Sequence, residues 1–460
     1  MAERDLTTGR LAAHLRAMIG PAALGMAFTT LYNVVDTFYA GWISTEAQAG
    51  LAISFTVFMA LMAIGFGLSQ GASALIGGAL GAGRLEHARA LAAQALTLAA
   101  LLGVALAAIG VAVSDSAMAA IGAAPDVAAA ASDYLRLLFF GLPGFLVGLT
   151  ANGVLTAQGD MAANRTAQIA AFGANLALNP ILIYGVFGLP GFGFDGIALS
   201  TVLIQIGVAA WLVAKALRTR ALTGAGLRDA RPSAPVLDAL VRQGAPSSLT
   251  MLVMMIGGLI IQAHLQPFGA AAVAGFGVAF RVEQLILLPI LSISFVLMPM
   301  VSQNFGAGDH DRVRQAATLT AVVALSLSLI GGLALAAGGA AMVTLFTGDP
   351  AAVAAGAAYL RVAALMMPAY ALMFLVTALF QGLRRPVWSA VIGLYRQVVA
   401  LTLFPALFVS LGWGLSGVWA GLFAAVWSGF ALAFALAVFV CRRRIGGLRP
   451  DFAAFDRAGA

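Results

Sequence analysis

Long apolar runs alternate with short polar breaks along the whole chain. The runs lie near residues 17–41, 48–74, 90–113, 130–156, 166–188, 195–217, 245–266, 271–300, 316–338, 354–380, 390–411 and 416–440. Each is close to the about 20 residues that a helix needs to cross a hydrocarbon core. The pattern predicts an all-α polytopic membrane protein with twelve transmembrane helices. The first run is not uniformly apolar. Thr29, Tyr32, Asn33 and Asp36 fall at helical spacing, so this helix carries a polar stripe that must face protein or water rather than lipid. At about 1.5 Å per residue, Asp36 lies roughly 10 Å inside the helix end near Trp42. An acid at that depth marks a functional position.

The polar breaks sort by charge. Arg4, Arg10 and Arg16 precede the first run, Arg84 and Arg89 follow the second, and Arg165 the fourth. Lys215, Arg218, Arg220, Arg228, Arg231 and Arg242 follow the sixth, Arg312 and Arg314 the eighth, Arg384 and Arg385 the tenth. Arg442, Arg443, Arg444, Arg449 and Arg457 follow the last, whereas the alternate breaks carry Glu46, Asp115, Asp126, Asp195 and Asp349. Basic loops stay cytoplasmic, so both termini are expected in the cytoplasm and Asp36 near the outer face.

Composition agrees and narrows the function. The 460 residues are 62% hydrophobic and only 9% charged, with a mean hydropathy of +0.98, against a quarter charged for soluble domains. The net charge of +7 is scattered over loop ends rather than gathered in one patch, which argues against a nucleic-acid partner. The single cysteine, Cys441, excludes an internal disulfide or a cysteine metal cluster. No P-loop, dinucleotide fingerprint, HExxH or nucleophile elbow is present, so neither an enzyme nor an ATP-driven pump is expected, and no cofactor. Lys215 is the only lysine among abundant arginine and alanine, a bias of GC-rich bacterial sequences. A bacterial inner membrane is the expected setting.

The chain is also an internal repeat. A shift of 225 residues takes Pro21 to Pro246, Gly81-Ala82-Gly83 to Gly306-Ala307-Gly308, Arg89 to Arg314, Pro125 to Pro350, Tyr134-Leu135-Arg136 to Tyr359-Leu360-Arg361, Pro143 to Pro368 and Pro180 to Pro405. The longest break, with Arg231-Pro232-Ser233-Ala234-Pro235, separates the copies. The expected organisation is an N-terminal six-helix bundle over 1–217, a cytoplasmic linker over 218–243, a C-terminal six-helix bundle over 244–440 and a tail over 441–460. Six spans per copy give both the same orientation, related by a pseudo-twofold along the membrane normal, as in transporters whose halves rock around a site. The polar residues are not duplicated: Asp36 maps to Ile261, Asn175 to Ala400 and Asn179 to Phe404. The ion-responsive chemistry is expected in the N-terminal copy.

Asn175 and Asn179 share a face of the fifth run, and Pro180 leaves the Leu176 carbonyl without its helical partner. Such oxygens can coordinate a hard cation, hydrogen-bond a protonated acid, or simply tie helices together. Arg281 and Glu283 are the other charges read as intramembrane, with Arg281 as the one clear deep basic residue. Two residues apart, they do not face each other. Arg281 reads as structural or gating, and Glu283 as a second substrate or proton group.

Three stretches together carry a resemblance. Leu31-Tyr32-Asn33-Val34-Val35-Asp36-Thr37, Asn175-x-x-x-Asn179-Pro180 and Gly196-Ile197-Ala198-Leu199-Ser200-Thr201 look like the multidrug and toxic compound extrusion (MATE) transporters, in particular their DinF-like branch. The resemblance covers essentially the whole chain. It implies export of cationic amphiphilic small molecules, driven by inward H⁺ or Na⁺; the carrier is expected to be a monomer. It implies a cation cluster at Asp36, Asn175, Asn179 and Thr201, with a possible Na⁺ held by Asp36, Asn175 and Asn179. The family often has Asp where this chain has Asn179, so one carboxylate remains, which favours H⁺. For substrate, it points to Tyr32, Tyr134 and Asn152; Asn33 on the same stripe and Glu283 complete the expected set. The rival within the superfamily is a lipid-linked oligosaccharide flippase, which would want a more cationic cavity.

Overall fold

The computed structural model describes residues 4–121, 125–186, 188 and 190–450, so Arg457 and the end of the expected tail lie outside the described residues. Among the described residues all regular structure is helical. In chain order the helices are α1 (Leu11–Ile43), α2 (Thr45–Gly81), α3 (Leu85–Ile121), α4 (Pro125–Ala157), α5 (Ala162–Tyr184), α6 (Phe194–Leu217) and α7 (Ala234–Leu265). They continue as α8 (Ala270–Gly306), α9 (His310–Thr344), α10 (Pro350–Gly382), α11 (Val387–Leu394), α12 (Leu401–Phe408) and α13 (Gly414–Ile445). Prolines within α1, α4, α5, α7, α8 and α10 do not end these helices.

Eleven stretches among the described residues are long and apolar enough to cross a membrane, and the chain is a multi-pass membrane protein. The last stretch, Val387–Ile445, is 59 residues long. It contains α11, a π-helical turn at Tyr395–Ala400, α12, a second π-turn at Val409–Trp413, and α13. Within the second turn Gly412 takes φ 85°, a conformation open to glycine, and the chain reverses there. α13 then lies against α12 so closely that a Cβ on Gly421 would stand 2.3 Å from the Pro405 nitrogen.

The chain divides into two compact units. The first comprises Met1–Asp5 and Gly20–Ser248, and its helices approach through glycine: a Cβ on Gly103 would stand 2.5 Å from the Pro143 Cα, and one on Gly110 2.6 Å from the Phe139 ring. The linker is part of this unit. Gln94 Oε1 accepts from both the Ser233 amide and hydroxyl at 2.9 Å, and the Thr97 hydroxyl donates to the Ala230 carbonyl at 3.1 Å.

The second unit comprises Leu6–Ile19 and Leu249–Ala460. The lead-in to α1 is strapped down within it. Gln303 Oε1 accepts from the Leu6 amide at 3.0 Å, and the Asn304 amide donates to the Leu6 carbonyl at 3.0 Å. The Arg312 guanidinium donates to the carbonyls of Leu6, Thr8 and Gly9 at 3.2, 3.3 and 3.0 Å, and to Asn304 Oδ1 at 2.9 Å. One charged fork thus satisfies three backbone acceptors, and hydrogen bonds from a charged donor are the stronger ones. Arg312→Ala is expected to weaken this strap by roughly 2 kcal/mol. Hydrogen exchange checks it: amides of residues 6–9 exchange at least tenfold faster, while those of α10 keep their protection.

Candidate functional site

The fold brings the polar face of α1 against α5 and α6 of the first unit. Asp36 is 7% exposed there, and Asn175 and Asn179 are fully buried. Being one turn apart on α5, both amides reach the same oxygen: Asn175 Nδ2 donates to Asp36 Oδ1 at 2.8 Å and Asn179 Nδ2 at 2.9 Å. The second oxygen, Oδ2, accepts from the Thr201 hydroxyl at 3.3 Å, and the Thr201 oxygen in turn accepts from the Tyr32 hydroxyl at 3.0 Å. A buried carboxylate is tolerated only when its oxygens are satisfied. Three donors converge on this one, from helices that the sequence places 139 to 165 residues away.

The donors are spent on the acid, and two acceptors are left over. Asn175 Oδ1 and Asn179 Oδ1 are buried without a hydrogen-bond partner. They lie on the side chains that already touch Asp36. The cluster therefore holds unused oxygen capacity beside a single carboxylate, which is the donor set a proton or a hard cation would use.

Other residues expected at the site are placed differently. Asn33 and Thr29 are exposed, and the Thr29 hydroxyl donates back to the Gly25 carbonyl at 2.9 Å. Tyr134 is buried near the cluster, stacked on Phe194 with ring centroids 4.5 Å apart. Asn152 lies 18 residues further along α4, about 27 Å by helical rise. The structure does not bring it to Tyr134.

Glu283 is 1% exposed in the second unit. It accepts a short hydrogen bond from the Tyr359 hydroxyl, while its other oxygen has no hydrogen-bond partner. Tyr359 packs between Phe276 and Trp419, with centroids at 4.9 and 5.3 Å. The Arg396 guanidinium acts electrostatically on Glu283 and lies over the Tyr370 ring, 5.4 Å from its centroid. Arg396 sits in the π-turn of α11–α12, and its stem runs over Gly429 of α13, where a Cβ would stand 3.0 Å from it. This corrects the expectation that Arg281 is the one deep basic residue. Arg281 itself is exposed, and Arg396 is the arginine near the buried acid.

An all-helical membrane bundle with a duplicated sequence and one buried acid in a donor cage defines the class as a polytopic membrane transporter. A family profile described as MatE matches residues 21–181 and again 246–407, two matches that start 225 residues apart. The chain belongs to the MATE family. It is 27% identical over 408 residues to a FAD transporter of Shewanella oneidensis, covering 85% of this chain and 89% of that protein. It is 25% identical over 434 residues to the multidrug export protein MepA of Staphylococcus aureus, covering 92% and 93%. Among solved structures it resembles an outward-facing multidrug resistance MATE transporter with a TM-score of 0.89 and 26% identity, over 97% of this chain and 98% of that one. A superfamily transporter from Pyrococcus furiosus, whose binding pocket is described as having reversed polarity, matches with a TM-score of 0.88 at 26% identity, over 96% and 98%. These relatives do not favour the flippase alternative.

Proposed function

We propose that the protein is a secondary multidrug exporter of cationic amphiphiles, exchanged for inward H⁺ through Asp36. The observation that carries this reading is the convergence of Asn175, Asn179 and Thr201 on one buried carboxylate beside two unused amide oxygens. Relatives named for multidrug resistance and multidrug export support the export of small molecules, and the cationic amphiphilic class is part of the proposal.

In the charged state Asp36 accepts from all three donors. Proton uptake turns one of its oxygens into a donor, which then needs an acceptor, and rotation of the Asn175 or Asn179 side-chain amide offers one. Each protonation state thus wants a different hydrogen-bond pattern between α1 and α5. A two-state bundle can use that difference to bind a proton on one side and release it on the other. Na⁺ is the second reading: the oxygens of Asp36, Asn175 and Asn179, with Thr201, are the residues that would hold it. A single carboxylate favours the proton.

The repeat and the return of α13 along α12 support twelve spans in two bundles, and the arginine pattern supports both termini in the cytoplasm of a bacterial inner membrane. Tyr32 and Tyr134, beside Asp36, are the substrate contacts nearest the ion site.

A direct test is proton release in detergent at fixed Na⁺. Adding a cationic dye releases protons from wild type and none from Asp36→Asn; dye binding without proton release contradicts the reading. Tyr32→Phe removes the donor to Thr201 and is expected to cost about 1 kcal/mol of stability and to raise the dye concentration needed for half-maximal release, while the protons released at saturating dye stay unchanged. A thermal melt alongside the release assay checks both.

A further inference from the structure

The second unit buries an acid where the first buries a ring. Glu283 of α8 is buried, and the 225-residue shift sets it against Phe58 of α2, which is buried as well. The helix pairs that carry these residues pack in one register. Gly50 and Ala131 map to Gly275 and Gly356; a Cβ on Gly50 would stand 3.6 Å from the Ala131 Cβ, and one on Gly275 3.0 Å from the Gly356 amide nitrogen. Phe58 fills its place by packing edge to face on Phe145, with centroids 5.0 Å apart. An apolar side chain therefore suffices to build this part of the scaffold. Burying a carboxylate there costs free energy that the fold does not require.

The carboxylate is also only half satisfied. Oε2 accepts from the Tyr359 hydroxyl, and Oε1 is buried with no hydrogen-bond partner. Among the described residues no lysine or arginine forms an ion pair with it. Arg396 rests on the Tyr370 ring instead, so this unit already seats one cation on an aromatic face. Rings also surround the acid. Tyr359 lies 4.9 Å from Phe276 and 5.3 Å from Trp419, and those two rings stack at 6.0 Å. Phe276, Phe280 and Glu283 fall at i, i+4 and i+7 of α8 and so share one face. Phe280 is exposed and stacks on Phe276 with centroids 5.6 Å apart. A row of rings thus leads from an exposed turn of α8 to the buried acid.

We propose that Glu283, with the rings of Phe276, Tyr359 and Trp419, binds the charged head of an organic cation such as a quaternary ammonium or phosphonium. Ring faces attract such a cation, and a carboxylate oxygen without a partner supplies the full countercharge. A quaternary head donates no hydrogen bond, so rings and one charge suit it better than a cage of donors like that around Asp36. The two units then divide the work, with the coupling proton on Asp36 and the substrate's charge on Glu283. The site rests on the exporter reading and deepens it by naming where that charge is held.

The test is calorimetric binding to the full chain in detergent of tetraphenylphosphonium and of the neutral triphenylphosphine oxide, with proton release followed in parallel. Wild type is expected to prefer the cation. Glu283→Gln keeps an acceptor for Tyr359, so its thermal melt stays near that of wild type. It is expected to bind the cation about tenfold more weakly, to bind the neutral compound unchanged, and to release as many protons at saturating cation as wild type. Glu283→Phe installs the residue of the other copy and is expected to lose the preference in the same way. Undiminished cation binding by both variants overturns the site, as does an equal loss for the cation and the neutral compound. Fewer protons released at unchanged affinity makes Glu283 a proton carrier and overturns it too. Cation binding that needs Glu283 but releases no proton from wild type supports the site while removing the exchange reading, so the two fail separately.

Discussion

Asp36→Asn in proteoliposomes is expected to bring ion-driven dye export down to the level of protein-free vesicles while the protein remains folded. The loss follows because Asn cannot exchange a proton or carry the charge that distinguishes the two states. Survival of the fold follows from the cage. Asn175 and Asn179 now point donors at Asp36, and an amide there would bring donors of its own. Their Oδ1 atoms have no hydrogen-bond partner, so rotating the Asn175 and Asn179 amides supplies the acceptors that the new amide needs. A thermal melt within a few degrees of wild type, together with lost export, checks both halves of the expectation.

The largest effect on stability is expected at Gly67. A Cβ there would stand 2.0 Å from the Ser248 hydroxyl oxygen, 2.5 Å from the Gly244 carbonyl oxygen and 2.7 Å from the Ser248 amide. The base of α7 thus lies directly on α2 within the first unit, backbone to backbone. Small residues allow such approach in membrane bundles, and an added methyl must part the helices. Gly67→Ala is expected to cost roughly 3 kcal/mol, at the upper end of overpacking penalties. Adding Ser248→Ala removes the nearest side-chain atom and leaves the backbone clash, so the double variant regains only part of the loss. Denaturation of both variants in detergent checks this order.

Much of the first unit's site was legible in the chain. The depth of Asp36 in an apolar run, and the four-residue spacing of Asn175 and Asn179, express helix geometry directly, and the structure joins those residues. Thr201 is legible only through the family resemblance, because nothing local marks one threonine in an apolar helix. The polar stripe on α1 is wider in the sequence than its buried part in the structure. A run of polar residues tells which face avoids lipid but not how much of that face its neighbours cover, so Tyr32 and Asp36 are buried while Asn33 and Thr29 are exposed.

In the second unit the sequence indicated that Glu283 needs a partner without indicating which. Its partner Tyr359 is 76 residues away on another helix, and such pairing is a matter of packing. Arg396 does not stand out, because a single charge barely lowers the hydropathy of a long run and the π-turn that holds it has no mark in the pattern. The spacing of 225 residues was legible, and its departures carry as much information as its matches. Phe58 against Glu283 becomes meaningful only once both are seen to be buried.

The most direct measurement is dye export by the reconstituted wild-type protein under a pH gradient without Na⁺, and then under a Na⁺ gradient at uniform pH. Export is expected under the pH gradient alone and not under the Na⁺ gradient. Export driven by Na⁺ and indifferent to pH would contradict proton coupling and make the Asn175 and Asn179 oxygens ligands of a sodium ion.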